Sequence, residues 1–367
     1  MRAAWITVPF VFSVAVVACG PQSSVRWSIN PALDATVSNV GIRNGAVTGA
    51  VLVTENGEPV AVEPNGFLVE TLNADGQWVR ANFGSTPSPT PGDDPTPTPT
   101  PGTDPTPTPD GSATPTPDAS PTATPEGNET PSPSPTPALL AIDAAVVGDV
   151  SGSEANHDTE IQGAVRDLGN EMLGGIDRLG LVRVSSGASI LSALTTSASD
   201  FSMAADALVS NYGYTALWDG IRRGNEVVDV TSAEPRYKAI VVFTDGMENN
   251  SADENGTGFD DGIDTTYDDL LALQAQGVTP AIWTVGVGDQ MDEATLQALS
   301  TATGGQYLHI ADIADLPAAL HAAQLQMHTV APMSFHPEAC SATTARITVR
   351  TQRGAAQKIV KIPSTCH

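Results

Sequence analysis

One stretch governs what the rest of this chain can become: residues 85–137, which begin STPSPTPGDDPTPTPTPGTDPTPTPDGSATPTPDAS. Proline at nearly every second position removes backbone donors and fixes φ, so neither a helix nor a sheet ladder can run through it. A solvated polyproline II conformation is what remains. At about 3.1 Å per residue, such a tract reaches on the order of 150 Å when fully extended. The 367-residue chain is therefore divided by a disordered Pro/Thr-rich linker that reads as a semi-rigid spacer. Each side of it must fold with its own hydrophobic pattern.

Upstream, residues 26–84 alternate β-forming residues with turn pairs at Asn56-Gly57, Asn65-Gly66 and Asp75-Gly76, which reads as a small β-rich unit. About sixty residues hide only a modest core, and none of them suggests chemistry. The extreme N-terminus, MRAAWITVPFVFSVAVVACG, pairs a positive Arg2 with an apolar run from Trp5 to Ala18. That run is too short for a comfortable membrane span. It ends in Val16-Val17-Ala18-Cys19, which resembles the bacterial lipobox. The resemblance implies a signal peptide at 1–18, lipidation of Cys19, and a tether at 19–25. Several acyl chains on one residue hold a membrane where a single chain does not. Gly20, not an aspartate, follows, so the expected location is the bacterial cell envelope, lipid-anchored at the outer membrane or cell surface. The plainer alternative is a secretory signal with a chance cysteine.

With Cys19 set aside, Cys340 and Cys366 remain, and in an exported protein two such cysteines pair. Two free thiols are the alternative. The pair brackets RITVRTQRGAAQKIVKI, a β-hairpin pattern, within a C-terminal segment at 331–367. Closing such a loop stabilises by roughly 3 kcal/mol in the chain-entropy model. Arg346, Arg350, Arg353, Lys358 and Lys361 crowd into this hairpin, after a segment from Lys238 to Arg346 with no Lys or Arg between. Alternation puts Ile347 and Val349 on one face. Either that face docks on a neighbouring unit while the basic face neutralises carboxylates, or the hairpin is an independent solvated edge.

From 138 to 330 strands and helices alternate, the pattern of a largely parallel α/β domain. Ile161, Val165, Leu168, Met172 and Ile176 form one helical stripe, and Ala239 to Phe243 is a continuous apolar strand. Further strands are read at 181–184, 190–194, 280–287 and 306–310, with helices at 215–228, 267–275, 293–301 and 313–326. Functional groups collect at the carboxyl ends of strands in open α/β sheets. The first strand delivers Asp149, Ser151 and Ser153 there, and the strand AIVVF delivers Thr244-Asp245-Gly246. Between them a helix starts at Gly213-Tyr214-Thr215-Ala216-Leu217-Trp218-Asp219-Gly220. Two carboxylates and three hydroxyls thus converge. Hard oxygen donors with little formal charge suit Mg²⁺, which keeps several of its waters. Taken singly, each piece is also an ordinary helix cap or turn.

Taken in order, these residues resemble the von Willebrand factor type A (VWA) domain of integrin inserted domains, matrix proteins and many bacterial surface proteins. Its metal-ion-dependent adhesion site (MIDAS) is Asp-x-Ser-x-Ser, a distant threonine and a distant aspartate. Here that pattern falls on Asp149, Ser151, Ser153, Thr215 and Asp245. The likeness spans roughly 139–328, with the VSGS turn, the FTDG strand end and TVGVGD; Glu154 departs from the neutral residue many members carry. It implies a Rossmann-like domain binding Mg²⁺ or Mn²⁺, and a protein partner that supplies a carboxylate as last metal ligand. The expected function is adhesion-like; a scaffold or assembly component of an envelope complex is the alternative. A second, EF-hand-like spacing, for Ca²⁺, falls on Asp253, Asn255, Thr257, Asp261 and Asp264, against the plain reading of a solvated acidic loop.

Composition removes other classes. Sixteen Lys and Arg against 42 Asp and Glu give a net charge of −26, which repels phosphate backbones and argues against nucleic acid. No catalysis is expected either. His157, His309, His321, His328, His336 and His367 show no metal-ligand spacing, and no serine or cysteine has a recognisable base.

Overall fold

The computed structural model describes residues 27–43, 45–81, 140–152, 157–210, 213–229, 236–251, 263–275 and 280–366. The expected signal peptide, Cys19 and the proline-threonine tract lie outside them. Five strands come first: β1 (Leu33–Arg43), β2 (Ala46–Glu55), β3 (Glu58–Pro59), β4 (Val62–Leu72) and β5 (Trp78–Arg80). The α/β region holds β6 (Ile142–Asp149), α1 (Asp158–Met172), β7 (Arg178–Val184), β8 (Ala188–Thr195) and α2 (Ala198–Ala205). It continues with α3 (Leu217–Val228), β9 (Tyr237–Thr244), α4 (Tyr267–Ala275), β10 (Ala281–Val287), α5 (Glu293–Thr303), β11 (Tyr307–Ile310) and α6 (Leu316–Met327). Strands β12 (Ala331–Phe335), β13 (Thr344–Thr351) and β14 (Gly354–Lys361) close the chain.

The α/β sheet runs β11-β10-β9-β6-β7-β8, parallel throughout except for the antiparallel edge pair β7–β8. Every residue of β6, β9 and β10 is buried, which is why these strands read as unbroken apolar runs. Helices α1, α2 and α6 cover one face through Ile161, Phe201 and Leu320. Helices α3, α4 and α5 cover the other through Ile221, Leu270 and Leu299. Gly220 is fixed by this packing, because a Cβ there would come within 2.2 Å of Val184 Cγ2. The stripe expected on the first helix holds from Ile161 to Met172 but not at Ile176, which is 57% exposed. The helix stops at Met172, and Gly174 at φ 101° turns the chain away before Ile176 is reached. Helix α2 was not read from the sequence.

The two outer segments, read from the sequence as separate units with docking of the hairpin on a neighbouring unit as one alternative, form one β-sandwich that is discontinuous in sequence. Strand β12 adds to β2 in the sheet β1-β2-β12, and β13 pairs with β4 in the sheet β14-β13-β4-β5. Val47, Val51, Val53 and Val69 from before the tract share one core with Phe335, Ile347 and Val349 from after it. The basic residues of β13 and its turn meet carboxylates of the early strands: Arg346–Glu70 at 2.6 Å, Arg350–Glu63 at 2.9 Å and Arg353–Glu55 at 2.5 Å. Exposed pairs of this kind contribute at most about 1 kcal/mol each, so the shared apolar core does most of the joining. Cys340 and Cys366 form a disulfide over a separation of 26 residues. Of the turn pairs read from the sequence, Asn56-Gly57 turns at φ 53° and 84°. Asn65-Gly66 instead lies inside β4, where a Cβ on Gly66 would meet Arg350 O at 2.8 Å and the β4–β13 register shifts. That glycine marks a bulge, not a turn.

Sandwich and α/β domain meet at the amino ends of β6 and β9. Ala50 and Leu52 of β2 join the core cluster that contains Met327 and Val330. Asn39, at φ 53° in a bulge of β1, accepts from Lys238 N at 2.7 Å and donates to Lys238 O at 3.2 Å. Beside it Asp143, fully buried, binds Arg178, Arg236 and Lys238 at 2.7, 2.5 and 2.6 Å. Burial alone would raise its pKa, but hydrogen bonds from these cations outweigh that and hold the carboxyl below its ordinary value. The carboxyl ends of the strands are left at the opposite pole, about 25 Å away by strand rise.

Ala81, in the sandwich, and Leu140, against the α/β core, therefore bound the tract from within one packed body. The tract does not separate two independent units. Residues 27–84 and 138–367 produced as two chains should co-purify and unfold together; pieces that stay apart would contradict the shared core.

Candidate metal site

Asp149 ends β6 with its carboxylate fully buried. Its Oδ1 accepts from the Ser151 amide at 2.9 Å, an aspartate-type turn that bends the chain sharply out of the strand. Its Oδ2 accepts from the Thr244 hydroxyl, at the end of β9, at 2.5 Å. Ser151, 1% exposed, lies with its Oγ 3.0 Å from the hydroxyl of Thr215, which donates to it. Thr215 stands just before α3, and Asp245, half-buried, directly follows β9. Asp149, Ser151 and Thr215 are joined by hydrogen bonds, and the charge of Asp245 is close enough to act on Asp149. Ser153, the remaining expected ligand, lies outside the described residues, as does Glu154.

The electrostatics of Asp149 are unusual for a buried acid. Burial pushes its pKa up from 3.8 to about 6, the Asp245 charge adds to the rise, and the Thr244 and Ser151 hydrogen bonds only partly oppose it. Its hydrogen-bond partners are neutral. A second carboxylate and two buried hydroxyls join it, among the described residues, in a donor set of hard oxygens, which fits Mg²⁺ or Mn²⁺. Among the described residues no three His, Cys, Asp or Glu side chains form a metal-sized group. The site offers, among the described residues, two carboxylates, Asp149 and Asp245, and the hydroxyls of Ser151 and Thr215.

Several contributors were missed by the sequence reading. Thr244 orients Asp149. Asn249 grips Thr215, accepting from its amide at 2.8 Å and donating its own amide to the Thr215 carbonyl at 3.1 Å. Glu248 accepts from the amides of Leu217 and Trp218, so it caps α3, which has Ala216 at its N-cap and no cap of its own. The polar run Glu248-Asn249-Asn250-Ser251 after TDGM was the available signal.

Of the EF-hand-like loop, Asp253, Asn255, Thr257 and Asp261 lie outside the described residues. Asp264 is exposed and lines a cavity of about 350 Å³ with Arg222 and Asp269. Three of the histidines have structural partners: His328 pairs with Asp177 at 2.9 Å, His321 with Glu171 at 2.7 Å, and His309 bonds Gly288 O.

An open, mostly parallel sheet carries these candidate oxygen donors at the carboxyl ends of β6 and β9. Residues 145–248 match the family model of the von Willebrand factor type A domain, so the chain carries a VWA domain. Among solved structures, a von Willebrand factor type A protein from Catenulispora acidiphila is 12% identical over 93% of this chain and 74% of its own, with a TM-score of 0.43. Proximal thread matrix protein 1 from the mussel byssus, solved with a zinc-occupied MIDAS motif, is 18% identical over 53% of this chain, with a TM-score of 0.42. This chain spans about half, 47%, of that protein. The vWF domain of the type V pili tip protein Mfa5 from Porphyromonas gingivalis is 14% identical over 51% of this chain and 95% of its own, with a TM-score of 0.38. The comparison with curated proteins gave no match.

The raised pKa gives a pH test. A metal needs Asp149 ionised, whereas the metal-free folded protein holds the proton up to about pH 6. Affinity for Mn²⁺ should be level above that pH and fall below it, by about tenfold between pH 7.5 and 5.0 from this proton alone. The sign for stability is opposite in the metal-free protein: the cost of ionising Asp149 appears as pH rises from 3.8 through about 6. Calorimetric titration across this range checks the first, and chelated thermal unfolding the second.

Proposed function

We propose that this protein is a bacterial cell-envelope lipoprotein whose VWA domain binds a protein partner through a divalent cation. Asp149, Ser151, Ser153, Thr215 and Asp245 hold Mg²⁺ or Mn²⁺. The bound metal supplies an electrophilic open position suited to a carboxylate of the partner. The observation that carries this reading is Asp149: a fully buried carboxylate with neutral hydrogen-bond partners and a second carboxylate acting on it. In this reading the side chains of the site hold and orient oxygens around the metal, and the role is binding.

The architecture supports a tether at one pole and a binding site at the other. Ser28 and Asn30 are tied to β14, with Asn30 N donating to Ala355 O at 2.9 Å and Ala355 N donating to Ser28 O at 3.1 Å. The chain that leads back to Cys19 thus leaves from the sandwich, and the sandwich meets the VWA domain at the pole opposite the metal site. Lipidation rests on Val16-Val17-Ala18-Cys19, and mass spectrometry of the mature N-terminus should find an acylated cysteine.

Replacing Asp245 with alanine should weaken Mn²⁺ binding at least about tenfold, since even outer-shell partners of metal ligands cost that much. Pull-downs from envelope extracts should recover a partner in Mg²⁺ and lose it with chelator. Unchanged affinity in the Asp245→Ala protein, or chelator-insensitive capture, would count against the reading.

A further inference from the structure

The loop after β9 holds more than a metal ligand. The Glu248 carboxylate gathers donors from two different segments. Its Oε2 accepts from Leu217 N at 2.5 Å, Trp218 N at 3.0 Å and Ser251 Oγ at 2.6 Å; its Oε1 accepts from Asn250 N at 2.7 Å and Ser251 N at 2.6 Å. Ser251 is 1% exposed and its Oγ also accepts from Trp218 N at 2.9 Å and Asp219 N at 3.2 Å. Asn249, next to Glu248, grips the backbone of Thr215 from both sides, and Asn250 reaches Ser186 O at 2.5 Å. The backbone around Thr215 and the loop that follows Asp245 are therefore laced to each other by a carboxylate that is not one of the proposed metal ligands.

We infer that Glu248 is a positioning residue for the metal site, fixing the Thr215 hydroxyl relative to Asp245. This rests on the metal-site reading given above. Three physical points carry it. First, an anion at a helix N-terminus is favoured by both the free N–H groups and the helix dipole, so Glu248 holds α3 firmly. Second, charge-assisted hydrogen bonds are roughly twice as strong as neutral ones, and here they span two loops. Third, the Thr215 hydroxyl lies only 3.0 Å from Ser151 Oγ, so a small shift of the Thr215 loop opens the donor set. A local cap serves its own helix; Glu248 comes from 30 residues away and ties that helix to another ligand's loop.

Glu248→Gln keeps the size but leaves one acceptor oxygen in place of two. We expect Mn²⁺ affinity to fall about tenfold, within the range for partners behind metal ligands. The electron paramagnetic resonance signal of bound Mn²⁺ should broaden as the donor set loosens. Glu248→Asp, with charge kept but reach shortened, should recover part of both. Ser251→Ala should give a smaller loss in the same direction, and it carries the test should Glu248→Gln not fold. All are made in the full chain, with Mn²⁺ as probe and thermal unfolding recorded alongside. Unchanged affinity and signal in the folded variants, even with a lowered melting temperature, would reduce Glu248 to a cap and overturn the inference. Failure of the unaltered protein to bind Mn²⁺ would overturn the metal-site reading itself.

Discussion

Strand β6 carries a fully buried aspartate at each end, and the contrast between them organises the molecule. Asp143 is matched by Arg178, Arg236 and Lys238. Asp149 is met by a hydroxyl and a backbone amide, and burial pushes its carboxyl up to about 6. Desolvating a carboxylate without a cation costs several kcal/mol. At one pole the protein supplies the positive charge itself, and there the sandwich docks. At the other the described residues supply oxygens, and there the proposed divalent ion would provide the counter-charge. One strand thus separates a closed structural pole from the pole that carries the proposed site.

The sandwich gives this polarity its use. Both of its sheets need strands from before and after the VWA domain, so the domain is inserted into the sandwich and held at both of its own ends. Asn39 fastens the junction by bonding both backbone groups of Lys238, the residue whose ammonium neutralises Asp143. The proline-threonine tract begins and ends on this single body. The tract is therefore not an extended spacer between two separately folded domains.

Much of the VWA domain was legible because its signals are local. Continuous burial made β6, β9 and β10 apolar throughout, and the period of α1 exposed its buried stripe as far as Met172. The candidate ligands could be proposed from sequence because each follows a strand or precedes a helix, in an order that the resemblance to VWA domains makes specific. The sandwich was not legible, because its pairing is non-local: Ile347 meets Val69 and Phe335 meets Val47 across the whole inserted domain. Alternation shows that a strand has a buried face but says nothing of what buries it. Asn65-Gly66 misled for a related reason, since glycine serves a bulge as well as a turn. Glu248 was hidden because its helix-capping role is exercised on a helix distant in sequence, where spacing rules such as the capping box do not reach.

The central claim is that the oxygens at the carboxyl ends of β6 and β9 form one divalent-cation site. Crystals grown with Mn²⁺ and measured at a wavelength where manganese scatters anomalously test it most directly. The account expects a strong anomalous peak among Asp149, Ser151, Thr215 and Asp245, with Ser153 and bound water completing the octahedron. Ordered density for these side chains with no peak among them, or a peak only in the 253–264 loop, would contradict it.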